Sequence, residues 1–390
     1  MAALVLSREE ELHWIALKLV PGLGTRTAGK LLERFRTPQA IFRASRTELE
    51  AAGVNGAVAQ SIASGCTFDD AVTQQEKMAQ AGAVLIALGD PRYPGALREI
   101  FDPPTVLFVR GRLELLQSLM LAVVGTRRAT PYGLAAAERL SADLSHAGLT
   151  IVSGMARGID TAAHRGALAA GGGTVAVLGC GVDIVYPIEN KKLAAELAVK
   201  GTIVSEFPMG SVAFPQNFPI RNRIISGMSL GVMVVEGAQY SGSAITAKLA
   251  MDQGREVFAV PGNITSKLSW GPNLLIKQGA RLVQDWNDVV TELPPESRRH
   301  LIEQGRQRIL REGGATAEPS QASLLGQDSE MGKTARRALE ILRVDASVHL
   351  DDLLEKIEDT TPSELIAALF ELEMLGLVKQ LPGKNFVKVW

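Results

Sequence analysis

Short, mainly apolar runs alternate with longer stretches of helical periodicity through the middle of the chain. The runs fall at residues 121–124, 149–152, 174–178, 202–205, 231–235 and 257–260. Strands that read as continuous apolar runs are covered on both faces. Between them, residues 132–147, 161–170, 191–200 and 243–253 carry apolar positions at the spacing of an amphipathic helix. Strand and helix in alternation predict a parallel sheet with right-handed crossovers: an α/β, extended Rossmann-like core. Two more runs, 84–88 and 105–109, lie among Pro91, Pro94, Pro103 and Pro104 and predict further strands ahead of it.

The flanks read differently. Leu12, Ile15, Ala16 and Leu19 mark a helix over 8–20, broken by Pro21-Gly22-Leu23-Gly24. Thr25 is then expected to cap a second helix reaching residue 35. Helix, Gly-x-Gly turn, helix is the layout of a helix-hairpin-helix (SAM-like) unit, whose free backbone N–H groups suit a phosphate. A poorer copy occupies 49–64, and helix continues to about residue 80. Behind the core, residues 312–332 are rich in Gly, Ala, Ser and Gln and read as linker. Helical periodicity returns from Thr334, over 350–357 and over 362–375, with Thr361 as cap and Pro362 at the first helical position. Residues 377–380 and 385–389 complete a hairpin, and three helices with a hairpin predict a winged helix. The expected division is a helical domain over 1–82, the core over 83–295, a flexible linker over 296–332 and the winged helix over 333–390.

At 390 residues and 46% hydrophobic content the chain can bury a large core. A net charge of −1 supplies no global basic field for nucleic acid, so anion binding has to come from local clusters. Two cysteines, Cys66 and Cys180, argue against a disulfide framework and for a reducing compartment. The acidic start does not read as a signal peptide, and no apolar run is long and regular enough to span a bilayer. The expectation is a soluble, cytoplasmic protein without a membrane partner.

The loops after the strands are where ligands bind in such sheets. Between Phe207 and Val235 there is no Asp or Glu, and the only charges are Arg221 and Arg223, with Asn222 between them. Guanidinium forks match phosphate oxygens; the competing reading is that both arginines pair with acids elsewhere in the fold. After the first strand stand Gly125 and Arg127; after the second, Ser153, Gly154 and Gly158 open a helix; after the fifth come Ser241, Gly242 and Ser243. Glycines admit an anion to the backbone and serines add hydroxyl donors. Lys248 stands a helical turn further on. Together they predict a phosphate-recognising pocket. The dinucleotide fingerprint is absent, since Arg127 and Arg128 stand where further glycines are needed, and no Walker lysine motif occurs. No His/Cys cluster has metal-ligand spacing, so neither metal nor cofactor is expected. Asp160 and His164, four apart on one helix, read as loop-orienting groups more than as a catalytic pair.

The order Gly125-Thr126-Arg127, Ser153 to Asp160 with His164, Tyr186-Pro187, Ser205-Glu206, Phe218-Pro219-Ile220-Arg221-Asn222-Arg223, Ser241-Gly242-Ser243 with Thr246, and Pro261-Gly262 resembles the DNA-processing protein A family (DprA, also called Smf) over the full length. The resemblance implies a protein that binds single-stranded DNA, forms a homodimer, protects incoming DNA during natural transformation and loads the RecA recombinase on it. It implies that the Rossmann core carries the DNA pocket, with Arg127 a main contact. Ile220 stands where another basic residue is frequent in the family and Ala244 where leucine is usual.

The rival class is an enzyme, because nucleotide-processing phosphoribohydrolases share such Gly/Ser loops. Their Pro-Gly-Gly-x-Gly-Thr-x-x-Glu loop carries a catalytic glutamate. Here the loop runs from Ser241 to Leu249 with no acid, although Glu236 lies nearby. A non-catalytic binder is therefore expected. From Lys18 to Arg46 there are seven basic residues against one acid, so the front domain either touches nucleic acid or is a spacer with a solvated basic face. The third helix of the winged module carries Glu364, Glu371 and Glu373 and no Lys or Arg. Such a helix is ill suited to a phosphate-lined major groove and is expected to meet protein.

Overall fold

The computed structural model describes residues 6–239, 241–312, 330–343, 347–357, 360–374, 377–381 and 383–389. It divides into two compact units, 1–301 and 302–390.

The first unit opens with six helices: α1 (Arg8–Leu19), α2 (Thr25–Phe35), α3 (Pro38–Arg43), α4 (Arg46–Ala51), α5 (Gly56–Ser64) and α6 (Phe68–Ala81). Leu17, Leu31, Ile41, Leu49 and Ile62 form their shared core. Gly24, not Thr25, occupies the cap position of α2, and no side chain caps it; Thr25 is already helical. Hydrogen bonds tie these helices to one another and to the α/β core. The Thr67 hydroxyl donates to Ala16 O at 2.9 Å, and the Gln74 amide closes a pair of hydrogen bonds with the backbone of Met209, at 2.7 and 3.3 Å.

The core then runs β1 (Val84–Ala87), α7 (Gly95–Arg98), β2 (Val106–Gly111), β3 (Met120–Gly125), α8 (Pro131–His146), β4 (Thr150–Ser153), α9 (Ile159–Ala169), β5 (Thr174–Val177), α10 (Lys191–Lys200), β6 (Thr202–Ser205), α11 (Asn217–Gly227), β7 (Gly231–Val235), α12 (Gly242–Asp252), β8 (Glu256–Ala259), α13 (Trp270–Lys277), β9 (Arg281–Leu282), α14 (Trp286–Glu292) and α15 (Pro295–Glu312). Among the described residues nine strands form one sheet, in the order β1-β2-β6-β5-β4-β3-β7-β8-β9. β1 pairs antiparallel with β2, and β2 antiparallel with β6. Every other pairing is parallel. Successive side chains of a strand point to opposite faces, and here both faces are covered. On β3, Ala122 and Val124 join one layer with Ile224, Ala247 and Leu275, while Leu121 and Val123 join the other with Leu140, Ile159 and Val289. Each buried Val, Leu or Ile among them contributes about 1.5–3 kcal/mol, which explains why these strands are mainly apolar.

Two expectations change. The stretch holding Arg221 and Arg223 is not an open loop: Asn217–Gly227 is helix α11, with Ile224 and Ile225 buried against the sheet. Residues expected to begin the linker form α15, which reaches Glu312; most of the Gly/Ala/Ser/Gln-rich stretch lies outside the described residues.

The second unit contains α16 (Glu330–Ile341), β10 (Val348–His349), α17 (Leu350–Lys356), α18 (Pro362–Met374), β11 (Val378–Leu381) and β12 (Asn385–Lys388). Leu339, Leu353, Leu365, Leu369 and Phe386 make its core. The Thr361 hydroxyl accepts from Glu364 N at 3.3 Å and donates to the Glu364 carboxylate at 2.8 Å, so the expected cap is formed. The hairpin gains a third strand, β10, in the order β10-β12-β11, and the unit is a winged helix. Among the described residues no helix is long and apolar enough to cross a membrane.

Candidate nucleic-acid interface

The loops after β3, β5, β6 and β7 and the first turn of α9 enclose a cleft of about 630 Å³ at the carboxyl edge of the sheet. Of the residues singled out in the sequence, Gly125, Arg127, Arg221, Asn222, Ser241, Gly242 and Ser243 line it. The other candidates lie elsewhere or support it from behind.

Arg127, like Arg128 beside it, is exposed in the cleft. Its guanidinium lies over the Phe218 ring, 5.1 Å from the centroid, and it has no ion-pair partner among the described residues. Arg221 is of another kind. It is 4% exposed and forms the floor. Its Nη1 donates to Gly154 O at 2.8 Å and to Val177 O, which ties the ends of β4 and β5 together. Burial pulls its guanidinium down to about 10, against the attraction of Asp160. Burial likewise raises the Asp160 carboxyl, opposed by Arg221 and by two backbone donors, Gly154 N at 3.1 Å and Ala156 N at 3.3 Å.

Arg223 is not in the cleft. Its guanidinium is paired with Glu206 at 2.8 Å and Asp102 at 3.1 Å, with 8% of the side chain exposed. Lys18, from α1, approaches Glu206 at 3.7 Å; burial lowers its ammonium and Glu206 partly restores it. This corrects the expectation for one arginine of the acid-free stretch. Two residues along a helix reverse the direction of a side chain, and the acids it meets come from the loop before β2 and from the end of β6. Ser153 is also withdrawn, because its hydroxyl is buried and donates to Val123 O at 2.6 Å. Lys248 is exposed and lies outside the cleft.

The glycines divide in the same way. A Cβ on Gly154 would sit 2.3 Å from the Arg221 guanidinium, one on Gly158 2.3 Å from Thr126 O, and one on Gly125 2.0 Å from Val235 O. Their missing side chains are filled by the protein itself. Gly242 has nothing within 4 Å of that position, so its backbone is open to a ligand. It begins α12, whose cap Ser241 accepts from Ala244 N at 3.4 Å and shares a 2.7 Å hydrogen bond with the Ser243 hydroxyl. A helix N-terminus with free N–H groups favours an anion.

Sequence reasoning placed Tyr186 in the family motif order but not in the site. Its ring lies 5.5 Å from that of Phe218, and both line the cleft with Arg128 and Thr246. The available signals were an aromatic residue in the loop after β5 and its place, with Pro187, in that motif order. Glu236 is not a cleft residue: it is buried and accepts from the Thr130 N–H at 2.9 Å and from the Thr130 hydroxyl at the start of α8. His164 does not pair with Asp160; its Nδ1 meets the Thr174 hydroxyl at 2.7 Å, and burial pushes the imidazole down to about 3. The cleft therefore offers two exposed cations, two aromatic rings, hydroxyls and an open helix start, with one buried acid turned to its own backbone.

Against known sequences, the model of the DNA recombination-mediator protein A family matches residues 84–294, and that of the DprA winged helix domain matches residues 315–384. The chain belongs to the DprA/Smf family. The Smf protein of Synechocystis sp. is 31% identical over 98% of this chain and 99% of its own. The crystal structure of DprA from Streptococcus pneumoniae superposes with a TM-score of 0.66 at 36% identity, covering 74% of this chain and 99% of that one. A structure of Helicobacter pylori DprA, described for its single-stranded DNA binding mode, superposes with a TM-score of 0.50 at 29% identity, over 57% of this chain and 96% of that one. The DprA core match spans the whole arginine cleft and ends just short of α15.

Proposed function

We propose that this protein binds single-stranded DNA in the carboxyl-edge cleft and holds it without chemically changing it. The observation that carries this is Arg127, an exposed guanidinium without a carboxylate partner among the described residues, set over Phe218 at a cleft whose far rim is the open start of α12. Arg127 and the α12 N–H groups bind phosphate, while Phe218 and Tyr186 present rings to bases. Phosphate contacts position a strand without reading its sequence, so binding is sequence-tolerant. The single-strand binding described for H. pylori DprA supports the same ligand here. Family membership supports a role in DNA processing during natural transformation, with RecA recombinase receiving the strand and a homodimer as the working form. For the dimer, Ile264, Trp270 and Leu282 stay exposed around the open β9 edge of the sheet.

The rival reading, a phosphoribohydrolase-like enzyme, lacks support in the residues. The Ser241–Leu249 loop has no acid, and the Glu236 carboxylate is engaged by Thr130. The test is filter binding of single-stranded against duplex DNA across a salt series, with Arg127→Ala alongside and nucleoside monophosphates and ATP assayed for turnover. Wild type is expected to prefer the single strand and to show no turnover. Arg127→Ala is expected to weaken binding and to reduce the logarithmic salt slope by about 0.7 for each phosphate no longer neutralised. A folded Arg127→Ala protein with unchanged affinity and slope overturns the assignment.

A further inference from the structure

A second cleft, of about 430 Å³, opens where the front helices meet the ends of β1 and β2. Phe101 stands in it 76% exposed, although it follows a well-packed helical turn and Ile100 beside it is buried. The guanidinium of Arg26, near the start of α2, lies over the Phe101 ring at 4.1 Å from the centroid. Lys30, one turn along α2, and Arg36, at its end, line the same walls, with Glu33 as the one lining acid. Arg26 and Lys30 have no ion-pair partner among the described residues, and neighbouring Asp102 is engaged with Arg223. An aromatic face left in water beside three basic side chains has no use in the core. It is the combination that single-strand binders use to stack bases and track the backbone.

The sheet topology relates this cleft to the first one. β1 is antiparallel to β2, and β2 is antiparallel to β6, so β1 runs in the same direction as the parallel strands. Leu88, which lines the second cleft, therefore leaves β1 at the same carboxyl edge at which Gly125 leaves β3. Between β1 and β3 lie β2, β6, β5 and β4, a span of about 24 Å at ~4.8 Å between neighbouring strands.

We infer that the Phe101–Arg26 cleft is a second subsite for the same DNA strand, stacking a base on Phe101 while Lys30 and Arg36 neutralise phosphate. The inference rests on the single-strand reading above and extends it along the sheet edge. It also gives the basic run of the front domain a ligand.

The test uses the full chain and oligothymidylates of about 4 and about 16 nucleotides, the range of site sizes that single-strand binders cover. Phe101→Ala is expected to leave the short oligomer's affinity within about twofold and to weaken the long one about 5- to 160-fold, the effect of losing one stacked base. Phe101→Trp keeps a ring and is expected to retain the affinity, which separates stacking from folding. Arg26→Ala with Lys30→Ala is expected to reduce the salt slope on the long oligomer only, by about 0.7 per phosphate. Unchanged long-oligomer affinity and slope in both the Phe101→Ala and the Arg26→Ala/Lys30→Ala proteins would overturn the subsite and leave this face to a protein partner. If instead Arg127→Ala binds both oligomers normally while Phe101→Ala loses the long one, the arginine cleft fails and this subsite stands.

Discussion

Replacing Arg223 with alanine is expected to damage the fold, and replacing Arg127 is expected to damage binding, although sequence reasoning puts both in one phosphate pocket. Arg223 is 8% exposed and holds Glu206, itself 3% exposed, at 2.8 Å. Removing one partner of a buried pair typically costs about 3–5 kcal/mol, because the other charge remains without compensation. Here the loss should fall at the lower end. Lys18 still approaches Glu206 at 3.7 Å, and Asp102, 36% exposed, can return to water. About 3 kcal/mol corresponds to a urea midpoint lowered by about 1 M or less, since slopes reach ~3 kcal/mol per molar in small proteins and grow with size. Arg127 is exposed, and its removal should move stability by no more than about 0.5 kcal/mol. The assay is urea unfolding followed by circular dichroism and tryptophan fluorescence, with single-strand affinity measured on the same preparations at a temperature where all variants are folded. An Arg223→Ala protein as stable as wild type but unable to bind DNA would refute the assignment of Arg223 to the fold.

Three other outcomes are expected from the same geometry. His164 has a folded-state pKa held near 3, below its ordinary value of 6.5, so between those values the unfolded chain binds the extra proton. Its contribution to stability is present above about pH 6.5 and is lost as the pH falls toward 3, and His164→Leu should flatten that part of the acid unfolding curve. Gly158→Ala forces a side chain onto a backbone with φ +75° and against Thr126 O, which should cost at least about 2 kcal/mol; Gly242→Ala meets open space and should leave stability within about 0.5 kcal/mol while weakening single-strand binding. Residues 330–390 expressed alone should show no specific duplex binding in an NMR titration at low salt. Between Lys333 and Trp390 there are eight basic and ten acidic residues, and Lys388 already donates to Leu339 O at 3.3 Å, so shifts concentrated on α18 at micromolar duplex would count against this.

The sheet was legible because burial on both faces leaves a signature that survives in one dimension: β6 and β7 fall on the apolar runs over 202–205 and 231–235. The winged helix was legible from its periodicity and from the Thr361–Pro362 start. α11 was not, because Pro219 and the two arginines resemble loop composition, and only tertiary packing of Ile224 and Ile225 makes it a helix. The site was legible as a set of loops but not as a set of roles. Position along the chain cannot say that Arg221 turns down into the floor and Arg223 turns away to Glu206, since both destinations are distant in sequence. Likewise, a glycine that opens the backbone to a ligand and one that makes room for a neighbouring side chain have the same letter. Only the three-dimensional neighbours of Gly242 and Gly154 separate them.

The contact between Gly154 and Arg221 constrains how such a site can drift. While the guanidinium occupies the space beside residue 154, any side chain there meets it at 2.3 Å. A larger residue at 154 therefore has to displace the Arg221 fork, and displacement breaks its bonds to the carbonyls of Gly154 and Val177. The two positions are thus coupled, so that what one can hold depends on the other. A lineage that has lost Arg221 but kept the glycine should carry a hollow floor beneath its cleft.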